Sequence, residues 1–431
     1  MVLAAMNSGV SGLKAESDAL GVVGDNIANV NTVGFKAQRA VFEDVLGHSI
    51  LAGTSSGLPG SGVRVGQVTQ MFTQGTLQNT GVSTDIALNG DGFFVVKGNV
   101  DGVSSNFYTR AGEFTLDKDG KLSNSQGLKV QGYAANGDGT FAASISDVSA
   151  PTAALPARAT QSLTITANLD ASAAIPTLPF DVTDPANTSN FSTTMSIYDS
   201  LGNAHTANVY FAKTAANTYD YHVLVPTNDI TPPATGQTEI GTGTLAFTTN
   251  GALNTVTGTT PSATVSFAGA TAGQAININF GTPISAGGTG LDGTTQFGSP
   301  ANVSSQSQDG YASGDFSGVQ VDGQGVVTGL YTNGQKIAMS QLAVAKFRDN
   351  EALGRAGQNV WIDTRESGTA ALGTAGSGGR GATTGGALEG SNVDLAEEFV
   401  SMIQHQRSFS ANSKTITTAD EMLQELINIK R

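Results

Sequence analysis

The chain has 431 residues, enough to bury several cores, and a formal net charge of -14. Charged residues are only 13%, the deficit is filled by small residues including 55 Gly, and no Lys/Arg cluster is present, which excludes nucleic acid and an anionic membrane surface as partners. With no Cys there is no disulfide framework and no thiolate site.

At the N-terminus, Leu3, Met6, Val10, Leu13, Leu20 and Ile27 follow an alternating three-four spacing, which predicts a helix over residues 2 to about 30. Gly9, Gly12, Gly21 and Gly24 each cost that helix about 1 kcal/mol relative to Ala, so it needs a partner. Met1 to Met6 carries no basic stretch and its apolar run ends at Asn7, so no secretory signal is read. No run approaches the roughly 20 apolar residues of a membrane span. Asn31 to Gly34 punctuates the helix end; a short apolar helix is expected at Ala40 to Leu46, then a Gly-rich stretch to Gly66.

From Asp85 the period changes to two. Ile86 to Leu88 and Phe93 to Val96 flank Asn89-Gly90-Asp91-Gly92, a hairpin signal, and Phe114 to Leu116 and Lys121-Leu122 flank a second at Asp119-Gly120. Ala150 to Pro156 reads as a hinge. A different, Thr-rich block of strands runs from Ser162 to about Gly293. Strands in the first style return at Val319 to Val321 and Val326-Val327 and continue to Phe347, with a turn at Asn333-Gly334. Residues 366 to 390 read as a flexible linker. From Ser391 to Arg431 there is neither Gly nor Pro, and Leu395, Phe399, Met402, Phe409, Ile416, Leu423 and Ile427 fall on one coiled-coil spacing. Ser391 with Asp394 resembles a capping box, and about 40 helical residues give a rod of roughly 60 Å.

The expected fold is multidomain and mainly β with α-helical termini, the terminal helices pairing as a coiled coil around nested β-sheet domains. The expected layers are terminal helices 1–32 and 391–431, a connector 33–84 and 355–390, an inner β domain 85–149 and 294–354, and an outer β domain 150–293. Matching heptads at both ends suggest a polymer subunit.

Chemistry is poorly represented. Gly53-Thr54-Ser55-Ser56-Gly57 has the nucleophile-elbow pattern, but Leu58-Pro59-Gly60 follows where a helix must start. Gly376, Gly378 and Gly381 have a dinucleotide-type spacing with no strand before it. His48, His205, His222 and His405 are scattered, and Asp117, Asp119 and Asp138 complete no calcium loop. Neither an enzyme, a metal nor a cofactor is implied.

Three stretches resemble the bacterial flagellar rod and hook protein family. They are Asp25 to Lys36 (Asp-Asn-Ile-Ala-Asn-Val-Asn-Thr-Val-Gly-Phe-Lys), Leu88 to Phe94 with Tyr108 to Phe114, and Ser391 to Leu395 with Met402-Ile403 and Gln406-Arg407. Met195 to Thr206 and Tyr331 to Gln335 are similar to the outer-domain motifs of the hook branch, which with the chain length favours that branch. The resemblance implies a subunit of a helical tube that bends as a universal joint and transmits torque from rod to filament, with the terminal helices lining its channel. The implied partners are further copies of the chain, the distal rod, the hook cap, the hook-filament junction proteins and the flagellar type III export apparatus. Export by that route would place the protein outside the cell without a cleaved signal peptide. Phe42 with Leu46 resembles an aromatic-x-x-x-apolar export-gate motif. Alternatives are a distal rod subunit and, from another class, a secreted β-rich adhesin.

Overall fold

The computed structural model describes residues 2–45, 62–137, 139–150, 153–231, 236–258 and 262–429, with side chains from residue 6 to residue 425. Two long helices, Val2–Ala28 and Leu395–Ile429, stand at the ends of the chain and pack on one another, while strands make up most of the rest. The C-terminal helix starts later than Ser391. Asp394 is its cap, accepting hydrogen bonds from Ala396 N–H at 2.8 Å and Glu397 N–H at 3.3 Å. The chain before it is not helical, and the Asn392 side chain ties it to the ends of neighbouring strands: its amide donates to Met71 O at 2.7 Å and its oxygen accepts from Ala37 N–H at 2.7 Å.

The chain forms two compact units, residues 1–152, 317–330 and 336–431 in the inner one and residues 153–316 and 331–335 in the outer one. The inner unit is built around a sheet whose central strands run in the order Lys336–Lys346, Lys129–Ala135, Phe93–Val100, Val103–Thr109. Phe93, Val95, Tyr108, Ala343, Ala345, Phe347 and Trp361 are buried together on it. Trp361, the single tryptophan, donates its indole N–H to Gln70 Oε1 at 2.6 Å.

Four expectations for this unit change. The described part of the expected helix, Ala40 to Val45, is not helical: Gln38–Asp44 is a strand paired antiparallel with Val63–Gln70, a partner too distant in sequence for a local reading to find. Asn89-Gly90-Asp91-Gly92 is not a hairpin turn. Ile86–Asn89 pairs with Ala382–Gly385, and Phe93–Val100 pairs with other strands, so this segment carries the chain from one sheet to another. Gly90 (φ +107) and Gly92 (φ +125) supply the backbone this needs. Residues 366 to 390 are not a flexible linker. Ala371–Thr374, Ala382–Gly385 and Ala387–Glu389 each pair with a strand contributed far earlier or by the central sheet. Residues 302 to 308 do not join the inner unit: Asn302–Gln308 pairs with Ser162–Asn168 of the outer one. The hairpins Phe114–Leu116/Leu122–Asn124 and Val326–Tyr331/Lys336–Lys346 form as expected.

The outer unit holds a five-stranded antiparallel sheet in sequential order, from Phe191–Tyr198 to Leu253–Gly258, and a four-stranded sheet centred on Ser162–Asn168 and Gln274–Asn279. Alternating inward residues of both sheets (Leu163, Ile165, Ile276 from one; Val209, Phe211, Tyr221, Val223 from the other) share one core.

Candidate assembly surface

On the N-terminal helix, Gly9, Gly12, Ala15, Ala19, Val23 and Asn26 are buried. From Gly9 to Ala19 this side carries only Gly and Ala, which lets the C-terminal helix come close. A Cβ on Gly9 would lie 2.9 Å from Ile416 Cγ1, and one on Gly12 would lie 2.6 Å from Asn412 Nδ2. The facing positions on the C-terminal helix include polar Glu398, His405 and Asn412, seven residues apart, with apolar Ile416 against Gly9 and Ala419 buried one heptad beyond Asn412. Glu398 Oε1 accepts from the Asn26 amide at 2.9 Å, and His405 Nδ1 meets Glu16 Oε2 at 2.6 Å. Phe42 from the strand Gln38–Asp44 stacks over His405, ring centres 6.1 Å apart. Burial pushes the Glu398 carboxyl above its usual range, and the Asn26 hydrogen bond opposes the shift.

The residues expected on the seam sit differently. Leu13, Leu20 and Ile27 lie one residue beyond the buried positions Gly12, Ala19 and Asn26, about 100° around the helix, and are half-buried; so is Met6. Val10, one residue beyond Gly9, is 53% exposed. On the C-terminal helix Met402, Ile416 and Leu423 are half-buried, whereas Leu395, Phe399 and Phe409 are exposed, Phe399 by 51%. Phe42 is 38% exposed. Leu46, and the side chains of Leu3 and Ile427, lie outside the described residues, as do His48, Asp138 and Gly53 to Gly57. Each helix therefore presents large apolar side chains that the other does not cover.

At the base of the helix pair a buried ionic joint connects three distant segments. Glu389 Oε1 meets Lys36 Nζ at 2.6 Å and accepts from Gly75 N–H at 2.9 Å, while Glu389 Oε2 accepts from Arg110 Nη1 at 3.1 Å. Lys36 Nζ also donates to Thr73 O at 2.8 Å, and Arg110 Nη2 to Gly90 O at 2.7 Å. The side chains of Lys36 and Glu389 are fully buried and that of Arg110 is 6% exposed. Burial lowers the Lys36 pKa, against the attraction of Glu389. Gly34, at φ +68, lies so close to the Arg110–Ala111 peptide that a Cβ would come within 2.5 Å of it. Removing one partner from such a buried pair costs about 3–5 kcal/mol, because it leaves an uncompensated charge. The resemblance covers Lys36 and Arg110, but sequence reasoning missed their meeting with Glu389, since isolated charges in separate segments carry no spacing signal, and it missed the hydrogen bonds of Asn26 and Asn392 to the chain around Gln38 and Thr73.

Residues 6–36 match the flagella basal body rod protein family, 87–169 the flagellar hook protein FlgE/F/G D1 domain, 168–311 the flagellar basal body protein FlaE D2 domain, and 384–429 the flagellar basal body rod FlgEFG protein C-terminal region. The flagellar hook protein FlgE of Salmonella typhimurium is 39% identical over 98% of this chain and 98% of its own. The chain belongs to the flagellar hook protein family. FlgE of Treponema pallidum is 34% identical over 98% of this chain and 99% of its own. The crystal structure of Helicobacter pylori flagellar hook protein FlgE2 shares the fold, with a TM-score of 0.51 at 14% identity over 71% of this chain and 98% of that one.

This hook subunit is thus a structural protein of the flagellum. Among the described residues no group of three or more His, Cys, Asp or Glu could hold a metal ion, and no helix is long and apolar enough to cross a membrane. Its outer-domain motif has a structural explanation. Asp199 is fully buried and closes the turn between two strands, accepting from Leu201 N–H at 2.8 Å, Asn203 N–H at 2.9 Å and the Asn203 amide at 2.9 Å. His205 lies between Asp199 at 3.3 Å and Asp229 at 3.2 Å and stacks on Phe267, ring centres 3.8 Å apart.

Proposed function

We propose that this hook subunit polymerises into a curved tube that joins rod to filament and transmits torque while bending. The observation that carries this reading is the apolar surface left on both terminal helices: Val10, Leu395, Phe399, Val400, Ile403, Phe409 and Met422 are all 38% exposed or more. Scattered apolar residues are ordinary on a surface, but seven large ones on two paired helices, six of them distributed around the C-terminal helix, leave apolar surface for neighbours to cover. Helical stacking of further copies would cover it through heterologous contacts that do not close into a ring. By family likeness the other partners are the distal rod, the hook cap, the hook-filament junction proteins and the flagellar export apparatus, through which the chain leaves the cell with its N-terminus intact.

The test is Phe399→Asp with Phe409→Asp, read by electron microscopy for tubes and by circular dichroism for the subunit fold. Tubes should be lost and the β units should melt as in the parent chain. Normal tubes would remove these residues from the assembly, and straight, rigid tubes from the parent chain would favour a distal rod subunit.

A further inference from the structure

We propose that the ionic joint is a completion lock: the inner unit cannot close until the segment carrying Glu389 has arrived. Lys36 and Arg110 precede their shared counter-ion by 353 and 279 positions. Each is anchored on backbone carbonyls within the structure that must close, Lys36 on Thr73 and Arg110 on Leu88 and Gly90. Closing that structure without Glu389 would bury two cations with no anion. Lys36 can answer burial by giving up its proton, and its lowered pKa is in that direction. Arg110 has no such escape, because a guanidinium keeps its charge in a protein. Arg110 therefore makes the wait obligatory. The segment that delivers Glu389 also brings the strand Ala387–Glu389, which pairs with Leu77–Asn79, and Gly34 N–H donates to Glu389 O at 2.7 Å.

The consequence is an order of folding. The outer unit has a core drawn only from its own residues and needs nothing from residue 389. In any delivery that presents the N-terminus first, the inner unit stays open until nearly the whole chain is out. The lock is a property of the single chain and holds whether or not the chain polymerises.

The experiment uses the full chain and two reporters. Trp361 emission reports the inner unit, since no tryptophan lies elsewhere. Pulsed hydrogen exchange during refolding reports individual strands. In the parent chain, protection of Phe93–Val100 and of Ala387–Glu389 should appear in the same phase, after that of the outer strands. Glu389→Gln should lose inner-unit protection and shift Trp361 emission to the red, leaving outer-unit protection unchanged. Adding Lys36→Met and Arg110→Met to Glu389→Gln should restore the inner unit, with Phe93–Val100 now protected ahead of Ala387–Glu389. The proposal is overturned by early protection of Phe93–Val100 in the parent chain, by parent-like behaviour of Glu389→Gln, by loss of both units in that variant, or by no recovery when the cations are removed.

Discussion

Glu16 Oε2 and His405 Nδ1 meet at 2.6 Å across the two terminal helices, 389 residues apart in sequence. The contact is half-buried, with Phe42 stacked on the imidazole, so three segments share one small site. A double-mutant cycle with Glu16→Gln and His405→Ala isolates the pair. Groups in direct contact usually show coupling of about 0.5–3 kcal/mol, and this pair should fall in that range. A coupling of zero in thermal melts followed at the helix band would show that the contact adds nothing to helix pairing.

Helix propensity and helix packing make opposite demands on the glycines of the N-terminal helix. Gly12 faces Asn412, whereas a Cβ on Gly21 would meet nothing within 4 Å. Gly21→Ala should therefore stabilise the helix by about 0.5–1 kcal/mol. Gly12→Val should destabilise the helix pair, since its side chain must displace Asn412. Denaturant midpoints of both variants check this, and equal signs would contradict the close approach.

This contrast explains how the helix seam was partly legible. The period of seven and the existence of both helices follow from the apolar spacing. The contact within the subunit follows only in part: Ile416 lies against Gly9, but elsewhere the helices approach through Gly12, Ala15 and Ala19, which register weakly as apolar, with polar Glu398, His405 and Asn412 on the other helix. The larger residues Val10, Phe399 and Phe409 drew the reading to a surface the subunit leaves open. Strand order failed for a different reason. Asn89-Gly90-Asp91-Gly92 has hairpin chemistry, but Ile86–Asn89 takes its partner from Ala382–Gly385, nearly 300 residues on, and local sequence carries no trace of such a pairing. Asp119-Gly120 and Asn333-Gly334, whose partners are adjacent, were legible.

Two carboxylates give opposite pH dependences. Burial works to raise Asp199, but hydrogen bonds from Asn203, His205 and Leu201 outweigh it and hold the carboxyl below its usual range. The folded state then binds the proton more weakly than the unfolded one, so this stability is present above about pH 4 and lost as pH falls below it. Glu398 is raised, chiefly by burial, so its folded state binds the proton more tightly. Its contribution is greatest at low pH and is lost as pH rises through the carboxylate range. Asp199→Ala should cost the outer unit about 1–3 kcal/mol at neutral pH, through donors left unsatisfied, and less in acid. Glu398→Gln should strengthen helix pairing at neutral pH, with the advantage shrinking on acidification. Melts at pH 3, 5 and 7 separate the signs; a Glu398→Gln advantage that grew in acid would reverse the assignment.

The limits of the outer unit can be tested by excision, because residues 294 to 308 hold one side of its smaller sheet. Ser162–Asn168 lies between Gln274–Asn279 and Asn302–Gln308, and the latter continues an antiparallel ladder from Leu163 to Asn168. Thr294 Oγ1 donates to Ile165 O at 2.9 Å in a buried position, and Thr295 N–H donates to Ala167 O at 2.9 Å. Val303 packs against the core that contains Leu163 and Ile165. A fragment ending at Gly293 would strip that edge and leave buried carbonyls without donors, at about 1–3 kcal/mol for each. Two or three such losses approach the whole stability of a domain, about 5–15 kcal/mol. Residues 153–316 should therefore unfold in one cooperative transition, followed by near-ultraviolet dichroism of the buried Tyr219 and Tyr221, whereas residues 153–293 should show none. Equal cooperativity in the two fragments would move the boundary back to Gly293 and make the last strand an accessory to the fold.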